Sequence, residues 1–153
     1  MHERRLAALD IVLPEAPVPR FAYVPVVVHG GIAWVSGQLP WVDGSLAAVG
    51  RVGDDVTVEQ AEFAARSCVL QALAVLRGAL GSLDRVERVL EVMGFVTSAP
   101  GFREQPKVMD AASKLLLDVF GEAGRHARTA VGVAELPRGA AVEVRLVLAV
   151  SSH

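Results

Sequence analysis

Residues 124 to 150 read GRHARTAVGVAELPRGAAVEVRLVLAV. Two apolar runs of strand character are joined here by a Pro/Gly turn, and each carries one charged side chain at an awkward place. Arg128 stands at the mouth of the first run and Glu143 inside the second. An acid within an aliphatic strand costs stability unless it is paired or wet, which makes Glu143 a residue to account for. In the second run Val142, Val144, Leu146, Leu148 and Val150 fall on one strand face, and Glu143, Arg145, Val147 and Ala149 on the other. Neither face is fully polar. A sheet with one face in water alternates more cleanly than this, so the second face is expected to be covered, most economically by another copy of the chain.

The whole sequence supports that expectation. Its 153 residues are 52% hydrophobic and 21% charged, with a mean hydropathy of +0.42. This is one domain, large enough for a core without metal or disulfide staples, and greasier than an average soluble chain. A net charge of −2 and a pI near 6.1 provide no basic footprint for nucleic acid. Cys68 is the only cysteine, so there is no disulfide framework and no cysteine-based zinc site, and a reducing compartment is expected. Residues 21 to 42 lack Lys, Arg, Asp and Glu, but Pro25, Gly30, Gly31, Gly37 and Pro40 interrupt them. A membrane span is therefore not expected. Arg4 and Arg5 are not followed by a long apolar stretch of the secretory kind. A cytoplasmic protein is the expectation.

Along the chain, residues 2 to 9 suit a short helix, and Leu13 to Pro19 an extended, proline-punctuated arm. We take 1–20 as an N-terminal arm and 21–153 as the domain. Phe21 to Val28 suggests a first strand, confined to an edge or bulge by Pro25, and Ile32 to Ser36 returns after Gly30-Gly31. A third short strand is expected near Ala47 to Val49. Thr57 and Gln60 form a capping box for a helix over 57 to about 80, whose stripe includes Val58, Ala61, Ala65, Cys68, Val69, Ala72, Leu76 and Leu80, with Gly81 as its stop. A turn and a strand from about Glu87 to Thr97 follow, then a helix opened by Pro106 and ended by Gly121. Final strands are expected over 127 to 135 and 141 to 150. The pattern is an α+β sandwich with both helices on one sheet face.

Several side chains have two readings. Glu143 suits a general base, or a strand glutamate paired with Arg145 or facing water. Arg128 suits a carboxylate clamp, its planar fork being made for that, or a structural ion pair. His126 and His29 lack a third partner at metal spacing and read as surface or hydrogen-bonded histidines. Cys68 lies in the helical stripe and reads as core. Without GxGxxG or GxxxxGK[ST], nucleotide binding has little support.

Tyr23, SGQLP at 36–40, GFV at 94–96 and HARTAVGVAELPRGAAVEV at 126–144 together resemble the RidA (YjgF-type) reactive-intermediate deaminase family. The likeness runs from about residue 18 to 150. The resemblance implies a chorismate-mutase-like α+β fold, a homotrimer with three clefts between subunits, and hydrolysis of 2-enamino and 2-imino acids such as 2-aminoacrylate to 2-oxo acids and ammonia, without metal or cofactor. Carried over by position, Arg128 matches the arginine that binds the substrate carboxylate, and Glu143 the glutamate that holds the attacking water. Tyr23, Ser36 and Gly37 match residues lining the cleft. Ala130 replaces a cysteine often found two residues after the arginine, leaving its backbone N–H to serve substrate binding. Asp110 lies near a family asparagine without a clean match, and no role transfers to it. The N-terminal arm and Gly124-Arg125-His126 mark a divergent branch. A non-catalytic trimer binding a small carboxylate or a protein partner is the alternative; ribonuclease activity, reported under the family's older name, is disfavoured by the acidic balance.

If the last two strands paired as a simple hairpin, Glu143 would lie opposite about residue 133. Arg128 would then be roughly 17 Å further along, at ~3.3 Å per residue. One small acid cannot span that. Either the site is completed across subunits, or the two strands are not neighbours.

Overall fold

In a computed structural model of the chain, the described residues are 1–18 and 20–153; Pro19, at the end of the extended segment expected from Leu13, lies outside them. They form one mixed sheet with its two long helices on a single face. The strands are β1 (Val26–His29), β2 (Ile32–Gln38), β5 (Val86–Thr97), β6 (Ala127–Val133) and β7 (Val142–Val150), in the order β1-β2-β7-β5-β6. A two-residue pair, β3 (Trp41–Val42) and β4 (Ser45–Leu46), stands apart. The helices are α1 (His2–Ala8), α2 (Val58–Leu80) and α3 (Gln105–Phe120).

The long helices begin and end where local chemistry requires. Thr57 Oγ accepts from the Gln60 N–H at 3.1 Å and the Gln60 side chain accepts from the Thr57 N–H at 2.9 Å, satisfying two otherwise orphaned donors of α2. Gly81 ends α2 in the left-handed region at φ 84°, returning its N–H to Arg77 O. Val69, Ala72 and Leu76 of the apolar stripe of α2, with Leu73 beside them, are fully buried, and the helix packs on β2, β7 and α3. Although α2 is long and apolar enough to cross a membrane, most of it is interior to this domain. Met109 and Leu116 complete the layer from α3, and Val142, Val144, Leu146 and Leu148 from β7. The parity expected for β7 therefore holds, with its even-numbered residues facing the helices.

Two expectations need correction. The first strand begins only at Val26, because Phe21–Pro25 bends and Pro25 has no N–H to give a ladder. The short pairing near residue 47 lies instead at β3 and β4, around Asp43 and Gly44, whose positive φ values of 50° and 83° suit a two-residue hairpin turn. Val49 makes only an isolated bridge to Ala140. Of the alternatives left open for the last two strands, the structure shows that they are not neighbours: β6 pairs parallel to β5, β7 pairs antiparallel to β5, and β5 lies between them. α3 is the crossover that a parallel β5-β6 pair needs. The edge placement of the first strand is as expected, since β1 pairs only with β2.

The N-terminal residues pack into the same core. Leu6 and Leu13 are buried in it, the His2 ring stands edge-on to Phe120 at 4.8 Å, and His2 Nε2 is 3.0 Å from Val86 O. Asp84 receives the Met1 amino group at 2.6 Å and the Glu3 N–H at 3.0 Å. Those donors hold its carboxyl down to about 2.

Where α3 crosses β5, Gly94 leaves no room for a side chain: a Cβ there would run into Met109. Gly94→Val should destabilise the fold by about 1–3 kcal/mol through overpacking. Urea denaturation would read this, and an unchanged midpoint would mean that α3 stands further from the sheet.

Candidate functional site

Two groupings emerge from the sequence candidates, on opposite faces of the sheet. The first surrounds Glu143. Its strand parity turns it away from the helices, toward the face that carries Val27, Trp34, Val131 and Val147. Trp34 is 41% exposed and Val27 49%. Gly37 adjoins the carboxylate: a Cβ at 37 would stand 3.0 Å from Glu143 Cδ, so the absence of a side chain makes the seat for the acid. Ser36 donates its hydroxyl to Val24 O at 2.8 Å, and its N–H to Pro25 O at 2.8 Å. These bonds pin the bend that holds Tyr23, itself 52% exposed, beside the end of β2. Gly37 and Glu143 thus meet at one end of the open face, and Ser36 ties that end to the segment that carries Tyr23.

Glu143 is not part of an ion pair there. Arg145, the partner that would make it merely structural, bonds Glu91 at 3.0 Å instead. Among the described residues Glu143 has no hydrogen-bond partner, and partial burial raises its carboxyl above the usual glutamate range. Such an acid holds its proton more readily and, once ionised, is a stronger base. Beneath the sheet Cys68 bonds Val142 O at 3.5 Å. Burial and the Glu143 charge push its thiol well up, so it stays a neutral core group.

The second grouping surrounds Arg128. It pairs with Val92 of β5, a fully buried residue of the helix face, and its guanidinium turns to α3. Nη1 donates to Asp110 Oδ1 at 2.8 Å and to Ser113 Oγ at 3.1 Å. Ser113 Oγ is 2.8 Å from His126 Nε2, and His126 Nδ1 is 2.6 Å from Gly124 O. Arg128, Ser113, His126, Arg125 and Leu117 line a groove of about 250 Å³. Ala130, two residues on, pairs with Gly94 and packs partly against the core.

Arg128 and Glu143 do not meet within one protomer, as a shared cleft in a single chain would require. Their β5 partners, Val92 and Phe95, are three residues apart, about 10 Å along the strand, with two strand spacings of nearly 5 Å each between. They also face opposite sides of the sheet. Sequence reasoning missed Ser113 and left Asp110 without a role. Their i,i+3 spacing does place both on one face of a helix. That this face meets β6 follows only from the crossover.

Because burial raises the Glu143 carboxyl, the folded chain holds a proton that the unfolded chain releases at lower pH. Stability from this group is present below the ordinary glutamate value of 4.5 and is lost as pH rises through the higher folded value. Glu143→Gln should therefore melt higher than wild type at neutral pH, with the gap closing as pH falls below about 4.5. A gap that widens on acidification would contradict the burial argument.

Residues 3–149 match the family described as "YjgF/chorismate_mutase-like, putative endoribonuclease". Protein TCP17 of Trypanosoma cruzi is 51% identical over 140 residues, 91% of this chain and 88% of that protein. Among solved structures, Agrobacterium tumefaciens Atu1372, a protein with unknown function, is 44% identical with a TM-score of 0.91, covering 98% of this chain and 92% of that one. A "putative endoribonuclease" of Shewanella oneidensis is 35% identical with a TM-score of 0.94, covering 98% and 99%.

Proposed function

Because this chain belongs to the YjgF/chorismate mutase-like family, we propose that it hydrolyses 2-enamino and 2-imino acids, such as 2-aminoacrylate, to 2-oxo acids and ammonia. The observation that carries the reading is Glu143: an unpaired, half-buried carboxylate with a raised pKa, seated against a glycine on an apolar face. An acid retained at a cost in stability suits a group that must take and return a proton.

In this reading Arg128 grips the substrate carboxylate through its fork. Glu143 takes a proton from a water as the water oxygen adds to the C=N carbon. Returned to nitrogen, that proton completes the tetrahedral carbinolamine. The hydroxyl proton then passes through Glu143 to nitrogen as the C–N bond breaks, so that the carbonyl of the 2-oxo acid forms and ammonia leaves, an enamine entering as its imine tautomer. The imine carbon is already electrophilic, so positioning supplies most of what is needed.

Two copies are required. Arg128 lies at a sheet edge and Glu143 on the open face, so a neighbouring protomer has to bring one to the other. The uncovered apolar surface of Val27, Trp34 and Val131 gives the copies a reason to associate, and a closed homotrimer supplies three such clefts. Trp34→Glu places a charge in that surface. Light scattering should give three times the 16.2 kDa chain mass for wild type and a smaller species for the variant; a monomeric wild type would remove the shared cleft.

The endoribonuclease in the family description finds less support. Net charge is −2, an acidic balance that does not favour a polyanionic strand of RNA.

The deciding assay generates 2-aminoacrylate enzymatically and follows its disappearance. Wild type should exceed background, and Arg128→Ala and Glu143→Gln should each lose about 100-fold or more, the scale of a general base or a positioning clamp. Equal background rates for all three would leave the non-catalytic carboxylate-binding trimer.

A further inference from the structure

The side chains around Arg128 form a chain of hydrogen bonds whose direction can be worked out. A guanidinium only donates, so Ser113 Oγ accepts from Arg128 Nη1. The hydroxyl's one hydrogen is then available to His126 Nε2, 2.8 Å away. A carbonyl only accepts, so His126 Nδ1 carries the hydrogen directed at Gly124 O. In the neutral ring this leaves Nε2 as the acceptor, and the two ends of the chain agree. Backbone packing anchors the far end: Gly124 is buried, and a Cβ there would run into Leu116 O of α3.

At the near end, Asp110 and Ser113 both engage Nη1. Among the described residues nothing bonds Nε or Nη2. The fork therefore keeps one edge unoccupied, the edge that takes a carboxylate with two parallel hydrogen bonds. As a surface ion pair, Arg128–Asp110 is worth little, since the Asp110 side chain is 72% exposed. Its geometric effect is larger. Fixing Nη1 from two directions removes the rotations a free arginine would lose on gripping a ligand.

We propose that Ser113 and His126, with Asp110, are positioning residues that hold the Arg128 guanidinium with its open edge presented to a short-chain 2-oxo or 2-imino acid. This rests on the deaminase reading for the identity of the ligand, though not for the existence of the relay. The relay acts on ligand affinity through Arg128. It touches neither the water nor the C=N carbon, so kcat at saturation should change little.

The test uses the full-length protein in its native assembly and pyruvate as the probe, titrated calorimetrically. Ser113→Ala and His126→Ala should each weaken pyruvate binding about tenfold, the scale of one hydrogen bond to a charged group. His126→Gln keeps an acceptor near the Nε2 position and should recover to within about threefold of wild type. Melting temperatures check that all variants are folded. Wild-type affinity in Ser113→Ala and His126→Ala, alongside loss in Arg128→Ala, would overturn the relay while leaving the deaminase reading intact. Equal weakening by His126→Gln and His126→Ala would also overturn it, since packing alone would then explain the loss. If wild type binds pyruvate through Arg128 and the relay but never depletes 2-aminoacrylate, the relay stands and the deaminase reading fails. A wild type that does not bind pyruvate overturns the relay as stated.

Discussion

The twelve-residue strand β5 is the constraint on which the rest depends. It is paired along both sides, antiparallel to β7 and parallel to β6. A parallel neighbour cannot be reached by a tight turn, so α3 must cross over one face of the sheet. That crossover lays Asp110 and Ser113 beside β6, and it is why Gly94 and Gly124 stand where a backbone or a thioether leaves no space for a side chain. The same strand separates Arg128 from Glu143. The two groups that the proposed chemistry would bring together are therefore held apart within each protomer and given opposite surroundings.

Those surroundings differ in kind. Arg128 is compensated by a carboxylate, a hydroxyl and, through the hydroxyl, a histidine, so its charge costs the fold little and its direction is well defined. Glu143 is uncompensated. Its natural neighbour, Arg145, belongs to Glu91, and Gly37 only makes room for it. A rigid cation and a costly, basic anion are what a substrate with a carboxylate at one end and an electrophilic carbon beside it would require. The apolar open face offers a physical means to unite them, because surface of that kind is stabilised by contact with another copy.

Legibility from the chain varied with the range of the interaction. The capping box at Thr57 and Gln60, the stop at Gly81 and the inward stripe of α2 are set within a few residues, and each stands as local rules dictate. The alternation in β7 likewise assigned the core-facing residues and turned Glu143 outward. Proximity along the chain could not decide which strands are sheet neighbours: LPRGA between β6 and β7 looks like a hairpin turn, yet those strands share only β5. Similarly, strand composition extended the first strand back to Phe21, while the missing N–H of Pro25 ends the ladder at Val26.

The sequence by itself determined the α+β class, the long helices and their buried faces, the edge position of β1, and the residues worth watching, since all of these follow from period, capping and residue chemistry along the chain. Tertiary structure alone decided strand order, the face to which Arg128 turns, its partners Asp110 and Ser113, and the freedom of Glu143 from Arg145. These depend on which segments lie side by side after some 15 to 54 residues of intervening chain. No local preference encodes that choice; it is made by the burial of one sheet face under two helices.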